Sequence, residues 1–298
     1  MDFCVGTEFE GKLLRDFLTQ NLRLSRALLC DLKTTGGITV CGETVTVRRV
    51  LHAGDVVSLT LPPEESDLTG TDLPLSILYE DDWLIVPDKP PYMPTHESFR
   101  HRGDTLANAL KFEFDKRGVP FVFRAIGRLD CDTSGVLLVA KNRLSAERFN
   151  ALHLCGGYEK VYLAITHGAP PTDEGTVEGY IRRTHESMIL REMACTGKDS
   201  EYARTDYRVL DRFAEFALVE CRPRTGRTHQ IRVQMSAIGH PLLGDDLYGG
   251  KKLLPRQALH ASSLAFVHPQ SGAHVRITSP LCADMADFIR KVKEFDHE

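Results

Sequence analysis

The chain contains no run approaching the roughly 18 apolar residues needed for a membrane-spanning helix, and Met1 to Lys12 carries acids where a secretory signal needs a basic stretch. A cytoplasmic protein with no membrane partner is expected. There is no Cys-x-x-Cys pair: Cys4, Cys30, Cys41, Cys131, Cys155, Cys195, Cys221 and Cys282 are scattered singly. That excludes the usual zinc and dithiol frameworks and predicts reduced cysteines serving as small core residues. Despite twelve histidines there is no His-Glu-x-x-His and no tight His/Asp cluster, so no metal is expected. Neither a Walker loop nor a dinucleotide fingerprint is present, so no nucleotide cofactor is expected. Positive charge is not in excess either. Lys and Arg number 37 against 41 Asp and Glu, a net charge of -4, so any polyanion must be held by local basic patches.

What is present suits a folded protein of more than one domain. The 298 residues exceed the roughly 150 of a typical domain, and 42% hydrophobic content supplies a core. Leu13, Leu14, Phe17 and Leu18, then Leu22 to Leu32, recur at threes and fours, which predicts two short amphipathic helices, the second capped by Ser25. A hairpin follows over 36–47 and a strand over 56–61. The Pro- and acid-rich stretch after Leu61 reads as a linker, giving domains at 1–62 and 74–298 joined by 63–73.

In the second domain, strands are predicted over 75–79, 83–86, 135–140, 161–166, 202–210 and 216–221. Helices are predicted over 105–116, 143–154, 228–238 and 283–293. Without strict βαβ alternation, the class is α+β, with a small α/β hairpin domain in front.

Two segments concentrate chemistry. Gly127-Arg128-Leu129-Asp130-Cys131-Asp132-Thr133-Ser134-Gly135 places acids, hydroxyls and an arginine ahead of an apolar strand. It reads either as a polar turn or as a catalytic carboxylate at a strand mouth. Arg222 to Arg232 holds four arginines and no acid. Phosphate contact would explain this, helped by amides at a helix start if Thr228 is the cap; the other reading is an exposed turn paired with surface acids.

Together these segments resemble RluA-type RNA pseudouridine synthases. The resemblance runs through Glu80-Asp81-Asp82, Lys89-Pro90-Pro91, Arg128-Leu129-Asp130-x-x-Thr133-Ser134-Gly135, Ala140-Lys141 and Lys160-x-Tyr162-x-Ala164. It continues in Thr225-Gly226-Arg227-Thr228-His229-Gln230-Ile231-Arg232, His240-Pro241-Leu242-Leu243-Gly244-Asp245 and Leu259-His260-Ala261. These motifs occur in order over roughly residues 74 to 290, and residues 9 to 61 resemble a small RNA-binding domain of the ribosomal-protein S-four type. The resemblance implies a mixed, largely antiparallel sheet, uridine isomerisation in structured RNA and no cofactor. Large-subunit ribosomal RNA is the favoured partner, with transfer RNA the alternative, and a single chain is expected to act alone.

Carried over residue by residue, the resemblance makes Asp130 the nucleophilic carboxylate, Arg232 the cation that keeps it ionised, and Tyr162 the aromatic face against the uracil. Arg128 is the residue that enters the RNA where the uridine leaves. Arg224, Arg227 and His229 are expected to contact RNA, as are Arg23, Arg26 and Lys33 of the first domain, with Arg48 and Arg49 beside them. Residues 1–62 hold seven basic and seven acidic side chains, so one positive face is the most they can form. Gly127, Asp88 and Gln234 depart from the commoner His, Asn and His of the family pattern. Three other readings remain at this stage: a metal hydrolase, a glycosidase using Asp130 with Asp132, and an RNA-binding module with a decayed site.

Overall fold

Ser25 accepts the Leu28 N–H at 3.1 Å and so caps α2 (Arg26–Thr34), whose Leu28 and Leu32 are fully buried. The computed structural model describes residues 1–184, 186–187, 189–195 and 199–295. The helix expected before Ser25 is only α1 (Leu14–Asp16) and a widened turn over 17–21, which stops where Arg23 takes a left-handed φ of 52°. Four short strands lie beside α2: β1 (Asp2–Cys4), β2 (Ile38–Val40), β3 (Glu43–Thr44) and β4 (Val56–Leu59). They form an antiparallel sheet in the order β1-β4-β2-β3, in which β1 was not anticipated.

The larger sheet begins with β5 (Ser76–Glu80), β6 (Leu84–Lys89), β7 (Ser134–Val136), β8 (Val139–Ala140) and β9 (Tyr158–His167). It continues through β10 (Glu174–Arg183), β11 (Arg191–Ala194), β12 (Ser200–Arg212), β13 (Phe216–Pro223), β14 (Leu259–Val267) and β15 (His274–Thr278). Its order is β11-β10-β12-β13-β9-β14-β7-β6-β5, with β15 beside β14 and β8 beside β6. The β7–β14 pairing is parallel and the others described are antiparallel, so the architecture is α+β with a mixed, mostly antiparallel sheet. Around it lie α3 (Leu106–Lys116) and α4 (Arg143–Leu154), each opened by a capping box (Thr105/Asn108 and Asn142/Ser145), then α5 (Gln230–Ala237) and α6 (Ala283–Phe295).

Several expectations need correction. The strand expected over 135–140 is two stubs, because Pro87 accepts the Leu137 N–H at 3.4 Å but has no N–H to return. Strands β10, β11, β14 and β15 were not read from the sequence. The cysteines are free, but of the eight only Cys221 is buried, and Cys4, Cys30, Cys41, Cys155 and Cys195 are exposed. No helix among the described residues is long and apolar enough to cross a membrane.

The N-terminal sheet is packed against the larger one. Leu144 of α4 belongs to the same apolar cluster as Phe3, Leu24 and Leu28, and Trp83 packs against that cluster edge-on to Phe3 at 6.3 Å. Polar ties flank this contact. Glu147 accepts from both the N–H and Oγ of Ser25, and Arg143 donates to Asp31 at 2.6 Å.

Candidate active site

The loop over 127–133 enters β7 between β14 and β6 of the large sheet, and the sheet dictates where it sits. Gly135 has φ 108° and lies so close to β14 that a Cβ there would stand 2.2 Å from the Ala261 carbonyl oxygen. The loop's carbonyls are then taken up by donors from outside it. Thr95 Oγ1 donates to Leu129 O at 3.0 Å, Lys89 Nζ to Cys131 O at 2.7 Å and Arg256 Nη1 to Asp132 O at 2.9 Å. Lys89 is fully buried and also donates to Pro90 O and Met93 O. Within the loop, the Thr133 N–H donates to Asp130 O at 3.1 Å. Cys131 stays a thiol, its pKa pushed up to about 11 by burial.

Asp130 faces α5. Arg232, 5% exposed, donates from Nη1 to Asp130 Oδ2 at 3.1 Å and bonds Asp245 twice, Nε to Oδ2 and Nη2 to Oδ1, both at 2.7 Å. Burial opposes the Arg232 charge, but the Asp245 bonds and charge, with Asp130 adding to them, raise its pKa. The guanidinium also lies over the Tyr248 ring at 5.1 Å. This fork fixes one guanidinium edge on Asp245 and turns the remaining nitrogen to Asp130.

The helix that carries Arg232 does not start as expected. Thr228 is not its cap: His229 holds that position in a left-handed conformation, φ 57°, without a side-chain cap bond. This turn aims the His229 ring inward, with Nδ1 2.8 Å from the Tyr248 hydroxyl and Nε2 3.7 Å from Asp130 Oδ2. Burial lowers the His229 pKa, and Arg232 reinforces the shift against the pull of the two aspartates. The preceding loop is organised by Gln230, which accepts from Thr225 Oγ1 and Arg227 N and donates to Arg204 O and Thr205 Oγ1. Gln234 ties α5 to the sheet through Thr205 Oγ1, Val177 O and Ala203 O.

Asp130, Tyr162 and Arg232 line one concave cavity of about 130 Å³, as do Arg128, Arg227 and His229. Tyr162 comes from β9 opposite Ala261, beside a bulge at Ser262 whose Oγ donates to Val161 O at 3.1 Å. Burial, with Asp130 adding, raises the Tyr162 pKa, so its ring stays a neutral phenol. Arg128 is exposed at the cavity edge. Gly127 takes φ 86°, a conformation that a larger residue would hold only with strain.

The basic segment divides. Arg224 pairs with Asp206 at 2.7 Å, Arg227 with Glu201 at 2.7 Å and Arg222 with Glu220 at 3.0 Å, the surface pairing that was one of its two sequence readings. Arg224 is exposed and does not line the cavity. Arg23, Arg26 and Lys33 are exposed on the N-terminal unit, away from the cavity lining. Sequence reasoning gave Asp245, Tyr248, Lys89 and Lys160 no role. Asp245 was signalled only as the acid closing an otherwise apolar motif, and Tyr248 carried no signal. Among the described residues no group of His, Cys, Asp or Glu could hold a metal.

This geometry can present a fixed carboxylate to a ligand lying beside the Tyr162 ring. The family model for RNA pseudouridylate synthase matches residues 83–237, which contain Asp130, Tyr162 and Arg232. The chain belongs to the RNA pseudouridylate synthase family. It is 38% identical over 273 residues to the uncharacterized RNA pseudouridine synthase YjbO of Bacillus subtilis, covering 90% of this chain and 95% of that one. It is 34% identical to ribosomal large subunit pseudouridine synthase D of Xylella fastidiosa, across 98% of this chain and 91% of that one. Among solved structures, human RNA pseudouridylate synthase domain containing 1 aligns with a TM-score of 0.58 at 26% identity, over 75% of this chain and 96% of that one. The protein is a pseudouridine synthase, an isomerase that modifies RNA.

Proposed function

We propose that this enzyme isomerises uridines of large-subunit ribosomal RNA in the cytoplasm, with Asp130 acting at the ribose anomeric carbon. The observation that carries the reading is the Asp130–Arg232 contact at 3.1 Å inside a cavity that also holds Tyr162. The reaction breaks the uracil N1–C1′ bond, turns the base and joins C5 to C1′, with no net redox change. The C5 proton is exchanged for one at N1, so atoms and electrons balance without a cofactor. A carboxylate serves at C1′ only when ionised, and the guanidinium holds the Asp130 carboxylate in place from 3.1 Å.

Uridine in folded RNA must first leave its stack, which costs roughly a few kcal/mol. Stacking on Tyr162 offsets about 1–3 kcal/mol of this, and Arg128 fills the vacated space. His229, Arg224 and Arg227 contact the RNA around the site. The last two do so by exchanging exposed ion pairs of about 0–1 kcal/mol for phosphates.

The N-terminal unit acts as an S-four-like RNA-binding domain over residues 1–62, joined by 63–73 to the catalytic domain at 74–298. Its Arg23, Arg26, Lys33, Arg48 and Arg49 are all exposed, and no described carboxylate lies within 4.0 Å of any of them, which favours phosphate contact. Relatives named for the ribosomal large subunit, 34% identical over nearly the whole chain, support the choice of substrate. Site-resolved pseudouridine mapping of ribosomal and transfer RNA, with and without the gene, tests it. A site lost from large-subunit RNA is expected, and loss confined to transfer RNA would overturn the substrate assignment.

A further inference from the structure

Two lysines line the surroundings of Asp130, Lys89 fully buried and Lys160 partly so, and they differ in their partners. Lys89 gives hydrogen bonds to three carbonyls at 2.7, 2.7 and 3.0 Å. Lys160 has only His153 Nδ1, at 3.5 Å, with the Tyr158 ring at 5.7 Å, and no described carboxylate within 4.0 Å. It lines the cavity shared by Asp130 and Tyr162. Gly127 packs beside it, where a Cβ would stand in ordinary contact with Nζ at 3.7 Å. An ammonium partly withdrawn from water, with donors to spare, is well placed to take an anion.

We propose that Lys160, oriented by His153, binds a backbone phosphate of the RNA strand next to the flipped uridine. Lys160 and Tyr162 are two residues apart on β9 and so project to the same face about 6.8 Å apart, within the span of one nucleotide. A base resting on Tyr162 then extends its sugar-phosphate toward Lys160. A phosphodiester neutralises the ammonium fully, whereas a uracil carbonyl would leave the charge in place. His153, its pKa lowered by burial and by Lys160, accepts through Nδ1 and holds the ammonium against the cavity wall. The inference rests on the cavity being the uridine site.

Lys160→Met and Lys160→Arg test it, with an unmodified large-subunit ribosomal RNA transcript as the first probe. Lys160→Met should weaken binding by about tenfold and reduce the log–log salt slope by about 0.7–0.9, the contribution of one phosphate. Lys160→Arg should keep the slope. The free Lys160→Met protein should melt at a higher temperature than wild type at pH 7, because an uncompensated charge is gone; a purely structural lysine would give a lower one. The second probe is pentauridylate against its uncharged methylphosphonate analogue, followed by the Lys160 ¹³Cε signal. Only the charged form should move it. Equal movement would assign Lys160 to the uracil and overturn the proposal, as would an unchanged salt slope in an active enzyme. A wild type that forms no pseudouridine in any RNA would instead remove the reading of the cavity.

Discussion

Arg232 is shared by two carboxylates that should fail differently when removed. The cluster of Asp130, Asp245 and one guanidinium carries a net charge of -1. Replacing Asp130 by Asn leaves the neutral two-bond pair with Asp245 intact and removes a charge from one contact at 3.1 Å, so stability should change by no more than about 1 kcal/mol. Replacing Asp245, only 1% exposed, by Asn strips the buried guanidinium of its double partner and leaves it one contact to Asp130. Breaking a buried pair from one side costs about 3–5 kcal/mol, and the surviving Asp130 contact places this case near about 3. With an unfolding entropy of about 2.1 cal/mol/K per residue over 298 residues, that is a fall in Tm of about 5 °C. Urea and thermal denaturation measure the stability, and pseudouridine mapping on the same preparations measures turnover. Asp130→Asn should be stable, bind RNA within a few fold of wild type and make no product. Asp245→Asn should lose both stability and activity. Equal destabilisation by the two substitutions, or product from Asp130→Asn, would refute this division of roles.

Three further outcomes are expected. Gly135→Ala should destabilise by about 1–3 kcal/mol from backbone strain alone, and further by pushing β14 away. Gly118→Ala, at φ 67° in open space, should show the strain without that displacement when both are compared by denaturation. The Lys160 pKa is lowered to about 8 by burial, below the roughly 10.4 of an unfolded lysine. Between about pH 8 and 10.4 the unfolded chain therefore holds the proton that the folded one has released, so wild type should gain stability relative to Lys160→Met as pH rises through that window and change little with pH below about 8. Finally, joint substitution of Arg23, Arg26 and Lys33 by Glu should lower the salt slope of RNA binding by about 2–3 while turnover at saturating RNA persists. Deleting residues 1–65 would weaken binding as well, but it also uncovers Leu144 and Trp83, which makes the triple substitution the cleaner measurement.

Elements with a strong period or a cap were legible. The capped helices at 105–116 and 143–154 and the apolar strands at 161–166 and 216–221 all have counterparts close to the expected bounds. The missed strands lack such a signal. β14 reads Leu-His-Ala-Ser-Ser-Leu-Ala-Phe-Val, with His260 near its start and serines at its centre, because Ser134 and Ser279 supply partners for His260, and Val161 one for Ser262. β10 buries only Val177 and Ile181 of its ten residues, too few to mark an alternation.

The order of motifs along the chain was sufficient to name Asp130, Tyr162 and Arg232 together, because residue type and sequence order are properties of the sequence itself. It could not say that Arg232 is divided between Asp130 and Asp245, that His229 turns inward from a left-handed position, or that Lys89 is satisfied while Lys160 is not. Those distinctions depend on which groups meet after folding. The interaction of two charges is set by their distance and by the water excluded around them, and neither exists until the sheet brings β7, β9 and α5 to one cavity.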